Sequence, residues 1–309
     1  MIKDTQTKIE AFLKKNHLTP RFPYSPGKTL LKKDFAISWT HNYTTIATRE
    51  GKEYFLKIAI DPEKYEDLRS QVHFMQYLHK HKLTFKIPKI YEWNTSGNFY
   101  FYLREHIKGE LLGNYVRNKI KFAKETIFSK LEKGIEEIND LAPDLNYSWK
   151  KGKDTKWLRD KVSQLVHDKQ IVSSLPHATL NIIDLLITNV TADEKEDYVP
   201  IWGDPGANNF IVAGETLAFI DYAPFSLGYR ACDIAEFSSF CVFSKEWETF
   251  IDRLDLQNKP LFREFFIIFL LDRIRSIFWL EGRGQLHKQL TKPREYYLEA
   301  IKKYIARLV

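Results

Sequence analysis

The stretch from Trp202 to Asp221 limits what this chain can fold into more than any other. It reads Trp-Gly-Asp-Pro-Gly-Ala-Asn-Asn-Phe-Ile, turns at Gly214, and returns through Leu217-Ala218-Phe219-Ile220 to Asp221. Two short apolar runs around a glycine turn predict a β-hairpin. That hairpin interrupts a half of the chain whose periodicity is otherwise helical, over 114–141, 154–168, 175–188, 230–243, 245–254, 258–283 and 293–308. Asp204 and Asn209 stand before the first strand and Asp221 after the second, so the sequence brackets one hairpin with three oxygen-bearing side chains.

The first third has the opposite character. Residues 4–16 carry the spacing of an amphipathic helix, and Pro20, Pro23, Pro26 and Gly27 mark a turn-rich passage. Strands are expected over 35–39, 43–48 and 54–58, the last two joined by Arg49-Glu50-Gly51-Lys52. Pro62 is expected to open a helix to about Lys80, with Leu68, Val72, Met75 and Leu78 on one face. Strands over 89–93 and 99–105 follow, and no internal repeat or low-complexity tract appears. Strands, helix and strands followed by a mainly helical half predict an α+β chain of two lobes, 1–107 and 108–309. A ligand site is expected in the cleft between such lobes.

At 309 residues the chain can build two cores without disulfides or structural metal. Its two cysteines, Cys232 and Cys241, have no metal-ligand spacing and suggest a reducing compartment. Lys3, Asp4, Lys8, Glu10, Lys14 and Lys15 interrupt any apolar core a signal peptide would need. The longest apolar run, Phe265 to Leu271, is far below the roughly 20 residues of a membrane span. A cytoplasmic protein with no membrane partner is expected. Residues 1–100 hold 17 Lys/Arg against 10 Asp/Glu, whereas residues 201–250 hold 2 against 7. The lysines of the first hundred residues are scattered rather than interleaved with stacking aromatics. A solvated surface is therefore expected there, not a nucleic-acid interface. The acidic stretch instead coincides with the bracketed hairpin.

Transfer of a nucleotide γ-phosphoryl group asks little covalent chemistry of a protein. One carboxylate must orient a hydroxyl, and an amide and a second carboxylate must hold Mg²⁺ against the phosphates. Asp204 and Asn209, five residues apart, followed by Asp221 at the end of an apolar strand, supply that set in that order. Lys57, in Tyr54-Phe55-Leu56-Lys57-Ile58, is an interior strand lysine of the kind that contacts the α- and β-phosphates.

These residues resemble the superfamily of aminoglycoside phosphotransferases and choline/ethanolamine kinases, which share the protein-kinase-like fold. The likeness runs over roughly 30–285. It rests on Gly203, Asp204 and Asn209, on Ile220-Asp221-Tyr222, and on Gly228-Tyr229-Arg230-Ala231-Cys232-Asp233-Ile234-Ala235. It implies a β-rich nucleotide-binding N-lobe with a leading helix over 1–107. It further implies a larger helical C-lobe over 108–309, carrying the catalytic loop and the acceptor site. By the resemblance Asp204 is the catalytic base, Asn209 and Asp221 bind Mg²⁺, and Asp233 braces the catalytic loop. Lys57, Gln71, Ser38, Asn42 and the hinge around Glu105 and Ile107 then contact ATP, with GTP as an alternative. His106 is read as packing at that hinge.

Three departures mark this chain within the pattern. Gln71 stands where the family has a Glu paired with the strand lysine, with Glu63 or Glu66 as substitutes in another register. No glycine occurs over 38–45, and Trp202 replaces the motif's His. The acceptor is expected on the helical lobe, where Glu236, Trp247 and Trp279 are candidates, and Arg263, Arg273, Arg275 and Arg283 would disfavour a polycation. The resemblance therefore implies a Mg-dependent kinase of a small hydroxyl compound. A nucleotide-binding pseudokinase acting as a scaffold is the alternative. A protein kinase fits less well, because Gly228 follows Asp221 too closely for a long activation segment.

Overall fold

The computed structural model describes residues 2–25, 29–32, 35–38, 41–113, 125–144, 146–147, 149–188, 190, 198–221, 225–240, 242, 261–282 and 293–306. The chain divides into two compact units. The first comprises Met1–Asn114, Ser129–Gly134 and Asn208–Phe225, and the second Tyr115–Phe128, Ile135–Ala207 and Ser226–Val309. The predicted hairpin thus falls by its packing with the N-terminal residues, although it lies a hundred residues downstream.

The first unit is built on a five-stranded antiparallel sheet ordered β1-β4-β5-β7-β6 (Thr19–Pro20, Asn42–Arg49, Lys52–Ala59, Phe101–Glu105 and Ile90–Asn94). Alternation along β5 decides what each face does. Tyr54, Leu56 and Ile58 join Tyr43, Ala47 and Leu103 in a core closed by Ile9, Leu13 and Leu18 of helix α1 (Ile2–Lys15) and the turn after it. Phe55 and Lys57 take the opposite face. Helix α2 (Tyr65–Leu78) buries Leu68, Val72, Met75 and Leu78, as its spacing predicts. Pro62–Lys64 form a separate 3₁₀ turn rather than its first turn. Asp61 caps that turn by accepting the Glu63 N–H at 3.0 Å.

The hairpin is strands β11 (Phe210–Ala213) and β12 (Thr216–Phe219), paired Phe210 with Phe219 through Ala213 with Thr216. Its outer edge pairs β11 with β8 (Glu110–Leu111). This pairing requires Gly109, because a Cβ there would lie 2.4 Å from the Val212 carbonyl oxygen. A further hairpin joins β2 (Thr29–Lys32) to β3 (Phe35–Ser38).

The second unit is helical, with a three-stranded sheet ordered β10-β13-β9 (Tyr198–Ile201, Ser226–Tyr229 and Lys150–Lys151). None of these three strands is evident from the sequence. β9, β10 and β13 all fall outside both the helical stretches and the hairpin expected from the sequence. Helix α3 (Glu125–Asn139) spans parts of both units, and α4 (Thr155–Val166), α5 (Lys169–Val172) and α6 (His177–Thr188) follow it. Helix α7 (Arg230–Phe240) starts directly after β13 and is almost wholly buried. It packs with α8 (Phe262–Gly282), whose run Phe265 to Leu271 is fully or nearly fully buried, and α9 (Pro293–Ala306) packs on α8. Among the described residues no helix is long and apolar enough to cross a membrane.

Candidate active site

In the first unit, the β5 pleat turns Lys57 away from the α1 core, and its side chain is 10% exposed. A buried ammonium needs partners. Lys57 Nζ donates to Gln71 Oε1 at 3.0 Å and to Asp221 Oδ1 at 3.3 Å. Burial pushes the Lys57 pKa down, but the Asp221 carboxylate and Tyr102 together outweigh it and the net shift is upward. Gln71, central in α2, therefore stands at the lysine, whereas Glu66 pairs with Arg69 at 3.0 Å.

Hairpin register brings Asn209 and Asp221 to one end. Beyond the Phe210–Phe219 pair, the Ile220 N–H donates to the Asn209 carbonyl at 2.9 Å, and Asp221 is the next residue. Arg104, buried and stacked over the Phe55 ring at 4.0 Å, donates through Nη2 to the Ile220 carbonyl at 2.9 Å. It also donates through Nη1 to the Glu105 carbonyl at 3.3 Å. Arg104 thus ties the backbone beside Asp221 to the end of β7. Nothing in the sequence singles it out, because a lone arginine in an apolar strand looks like an outward-facing one.

Mg²⁺ takes hard oxygen donors, commonly one or two from protein and the remainder from phosphates and water. Asn209 and Asp221 provide an amide and a carboxylate at one hairpin end, and the Asp221 side chain is 48% exposed. This donor set fits such an ion. Among the described residues no three of His, Cys, Asp or Glu gather into a set able to hold a metal by themselves.

The remaining first-unit candidates cluster less tightly. Glu105 ends β7 and pairs with Lys86 at 2.5 Å, and Ile107 is buried. His106 Nδ1 lies 3.3 Å from Glu53, and burial, partly offset by that carboxylate, lowers its pKa. Asn42 opens β4, half-buried, and Ser38 closes β3. Residues 39–40 lie outside the described residues.

In the second unit, Asp204 is exposed on the loop leaving β10. That loop begins with Gly203 at φ +83°, a left-handed conformation that glycine adopts without strain. Buried Asp233, in the first turn of α7, accepts the Trp202 N–H at 2.6 Å and the Gly203 N–H at 3.0 Å. Burial raises the Asp233 pKa to about 6, against the opposing pull of those two N–H groups and Lys153. Trp202 is itself completely buried, so an apolar indole fills the place of the motif's His. Two residues beyond Asp204, a Cβ on Gly206 would lie 3.2 Å from the Phe240 ring and 3.3 Å from Asp204 Oδ1, so only glycine leaves that carboxylate uncrowded.

Glu236, expected to meet an acceptor, is buried with both oxygens paired, one to Lys153 and the other to Arg273 at 3.2 Å. Lys153, absent from the sequence-based candidates, also donates to the Gly203 carbonyl at 2.9 Å. Trp247 lies outside the described residues. Trp279 lies in α8, within Phe262–Gly282.

The family model described as "Phosphotransferase enzyme family" matches residues 35–265. No curated protein gives a sequence match. Among solved structures, the GDP and kanamycin complex of APH(2")-IIia is similar, with TM-score 0.63 and 13% identity over 97% of this chain and 99% of that one. A thermostable mutant of aminoglycoside phosphotransferase APH(4)-Ia, in ternary complex with AMP-PNP and hygromycin B, gives TM-score 0.60 and 14% identity over 96% and 99%. Amicoumacin kinase hAmiN, in complex with AMP-PNP and Ca²⁺, gives TM-score 0.56 and 13% identity over 98% and 95%. The fold is the protein-kinase-like α+β fold of these enzymes, with a β-rich N-lobe and a helical C-lobe. The chain belongs to the phosphotransferase enzyme family and is a small-molecule kinase that transfers phosphate to a hydroxyl group.

Proposed function

We propose that the protein transfers the γ-phosphoryl group of ATP or GTP to a hydroxyl of a small acceptor, with Mg²⁺ required. The Lys57 contacts carry this reading. A buried lysine held between Gln71 and Asp221 is an arrangement that a structural core does not need, and one that polyphosphate binding uses. Nucleotides and antibiotic acceptors in the complexes of similar proteins support it.

In this mechanism Asp204 orients the acceptor hydroxyl and takes its proton as the O–P bond forms in line with the departing β-phosphate oxygen. Lys57 neutralises charge on the α- and β-phosphates, and Asp233 holds the loop that presents Asp204. The backbone around Glu105 and Ile107 meets the purine, with Ser38 and Asn42 near the phosphates. Mg²⁺, held by Asn209 and Asp221, would neutralise charge on the β- and γ-phosphate oxygens. Glu236 belongs to the acceptor side of the helical lobe, as an ion-paired wall rather than a free carboxylate. A wall whose carboxylate is already paired to Lys153 and Arg273 disfavours a polycationic acceptor.

The test is acceptor-dependent release of ADP or GDP by purified protein, with Mg²⁺ and with chelator. The panel comprises choline, ethanolamine, aminoglycosides, sugars and nucleosides. Turnover that needs both metal and one acceptor class supports the reading. Mg-dependent nucleotide binding without turnover across the panel would favour the scaffold alternative.

A further inference from the structure

The segment between β9 and α4 places a charged group under the catalytic loop, and the position of that group is tightly built. β9 runs parallel to β13, with Lys150 opposite Ser226 and Lys151 opposite Leu227. The Gly152 N–H donates to the Leu227 carbonyl at 2.7 Å, and Asp154 caps α4 by accepting the Trp157 N–H at 2.6 Å. Lys153 sits between these two anchors. Its ammonium lies 4.8 Å from the Phe269 ring centroid and 5.8 Å from that of Trp157. It donates to the Gly203 carbonyl and to Glu236, and Arg273, stacked at 3.7 Å over Phe240, donates to the other Glu236 oxygen.

From this geometry we infer that Lys153 is a positioning residue for phosphoryl transfer, acting through Gly203 on Asp204, with Glu236 as its anchor. The inference rests on the phosphotransferase reading above. Asp233 takes the N–H groups of Trp202 and Gly203, while Lys153 takes the carbonyl of the same glycine. Gly203 is therefore gripped at both its N–H and its carbonyl by charge-assisted hydrogen bonds, which are shorter and stronger than neutral ones. A glycine at φ +83° has wide conformational freedom, and the clamp removes it. Displacement of a reacting group by about 1 Å can cost 10²-fold in rate, so a fixed carbonyl one residue from the base bears directly on turnover.

The clamp also sets a charge environment that kinetics can read. Asp233 faces Lys153 from before α4 and Cys232 and Glu236 from its own helix, with Arg273 of α8 bound to Glu236. Lys153 favours the Asp233 carboxylate and Glu236 disfavours it. A protonated Asp233 accepts the two N–H groups more weakly, so turnover should fall as pH drops through about 6. Lys153→Met should move that acid limb to higher pH and Glu236→Gln should move it to lower pH.

The experiment measures kcat against pH, nucleotide Kd, and amide exchange over residues 200–206 for wild type, Lys153→Met, Lys153→Arg and Glu236→Gln. Expected for Lys153→Met are a kcat loss of about 10- to 100-fold, a nucleotide Kd within about twofold of wild type, and faster exchange confined to 200–206. Lys153→Arg, which keeps the donor, should recover most of the rate. Wild-type kcat and acid limb in Lys153→Met would overturn the inference. So would an equal loss in Lys153→Arg, or acid limbs of Lys153→Met and Glu236→Gln moving the same way. If Lys153→Met does not fold, Lys153→Arg and Glu236→Gln decide it by the same signs. Faster local exchange in a protein whose wild type turns nothing over would keep the clamp and remove the catalytic reading instead.

Discussion

Lys57 shows how much of the site is decided by single side chains. Its ammonium is charged and buried, and Gln71 satisfies it with a hydrogen bond but no counter-charge, leaving Asp221 as its anionic partner. Hydrogen bonds to charged groups are worth about 1.5–3 kcal/mol. Gln71→Leu should therefore let Lys57 swing toward Asp221 and raise the nucleotide KM about tenfold, with kcat changed less. An unchanged KM would mean that Gln71 does not orient the lysine. The sequence made Lys57 legible, because a lysine there interrupts the otherwise apolar strand run Tyr54-Phe55-Leu56-Lys57-Ile58. Arg104 and Lys153 were not legible in the same way. Arg104 acts on the Ile220 carbonyl and Lys153 on the Gly203 carbonyl, and backbone partners leave no mark on side-chain pattern.

At the scale of elements, β11–β12 and the β10-β13-β9 sheet each carry candidate site residues, and they differ in how readily they are read. The first is a local hairpin of two short apolar runs around a turn at Gly214 in the left-handed region. The second joins strands far apart in sequence, one of them only Lys150–Lys151, so nothing local predicts it. The same non-local pairing explains Gly109. A Cβ would collide with the Val212 backbone rather than with a flexible side chain, so Gly109→Ala should destabilise by about 1–3 kcal/mol. Denaturant unfolding checks this, and a midpoint equal to wild type would contradict the close approach of β8 to β11.

For the whole molecule, pH links the buried core of the helical unit to global stability. The Asp233 pKa rises on folding from 3.8 to about 6, so the folded chain holds this proton more tightly than the unfolded one. The resulting contribution is fully present below about pH 4 and is lost as pH rises through about 6. Relative to Asp233→Asn, which cannot titrate there, wild type should lose on the order of 3 kcal/mol between pH 4 and pH 7. Unfolding midpoints of both proteins across that range give the difference, and a pH-independent gap would contradict the buried charge assigned to Asp233. The two-part α+β plan was legible from strand and helix periodicity. The assignment of the hairpin to the N-terminal unit was not, since it depends on β11 pairing with β8 and on the Lys86 bridge to Ala218.

The most direct test of the central claim is Asp204→Asn, followed by single-turnover phosphoryl transfer from γ-labelled nucleotide to the best acceptor, alongside nucleotide affinity. Loss of a general base commonly costs 10²–10⁴-fold. Transfer should drop by about that factor, with Mg-nucleotide Kd unchanged and the fold intact. Transfer at the wild-type rate in Asp204→Asn would show that the reacting hydroxyl is oriented by another group.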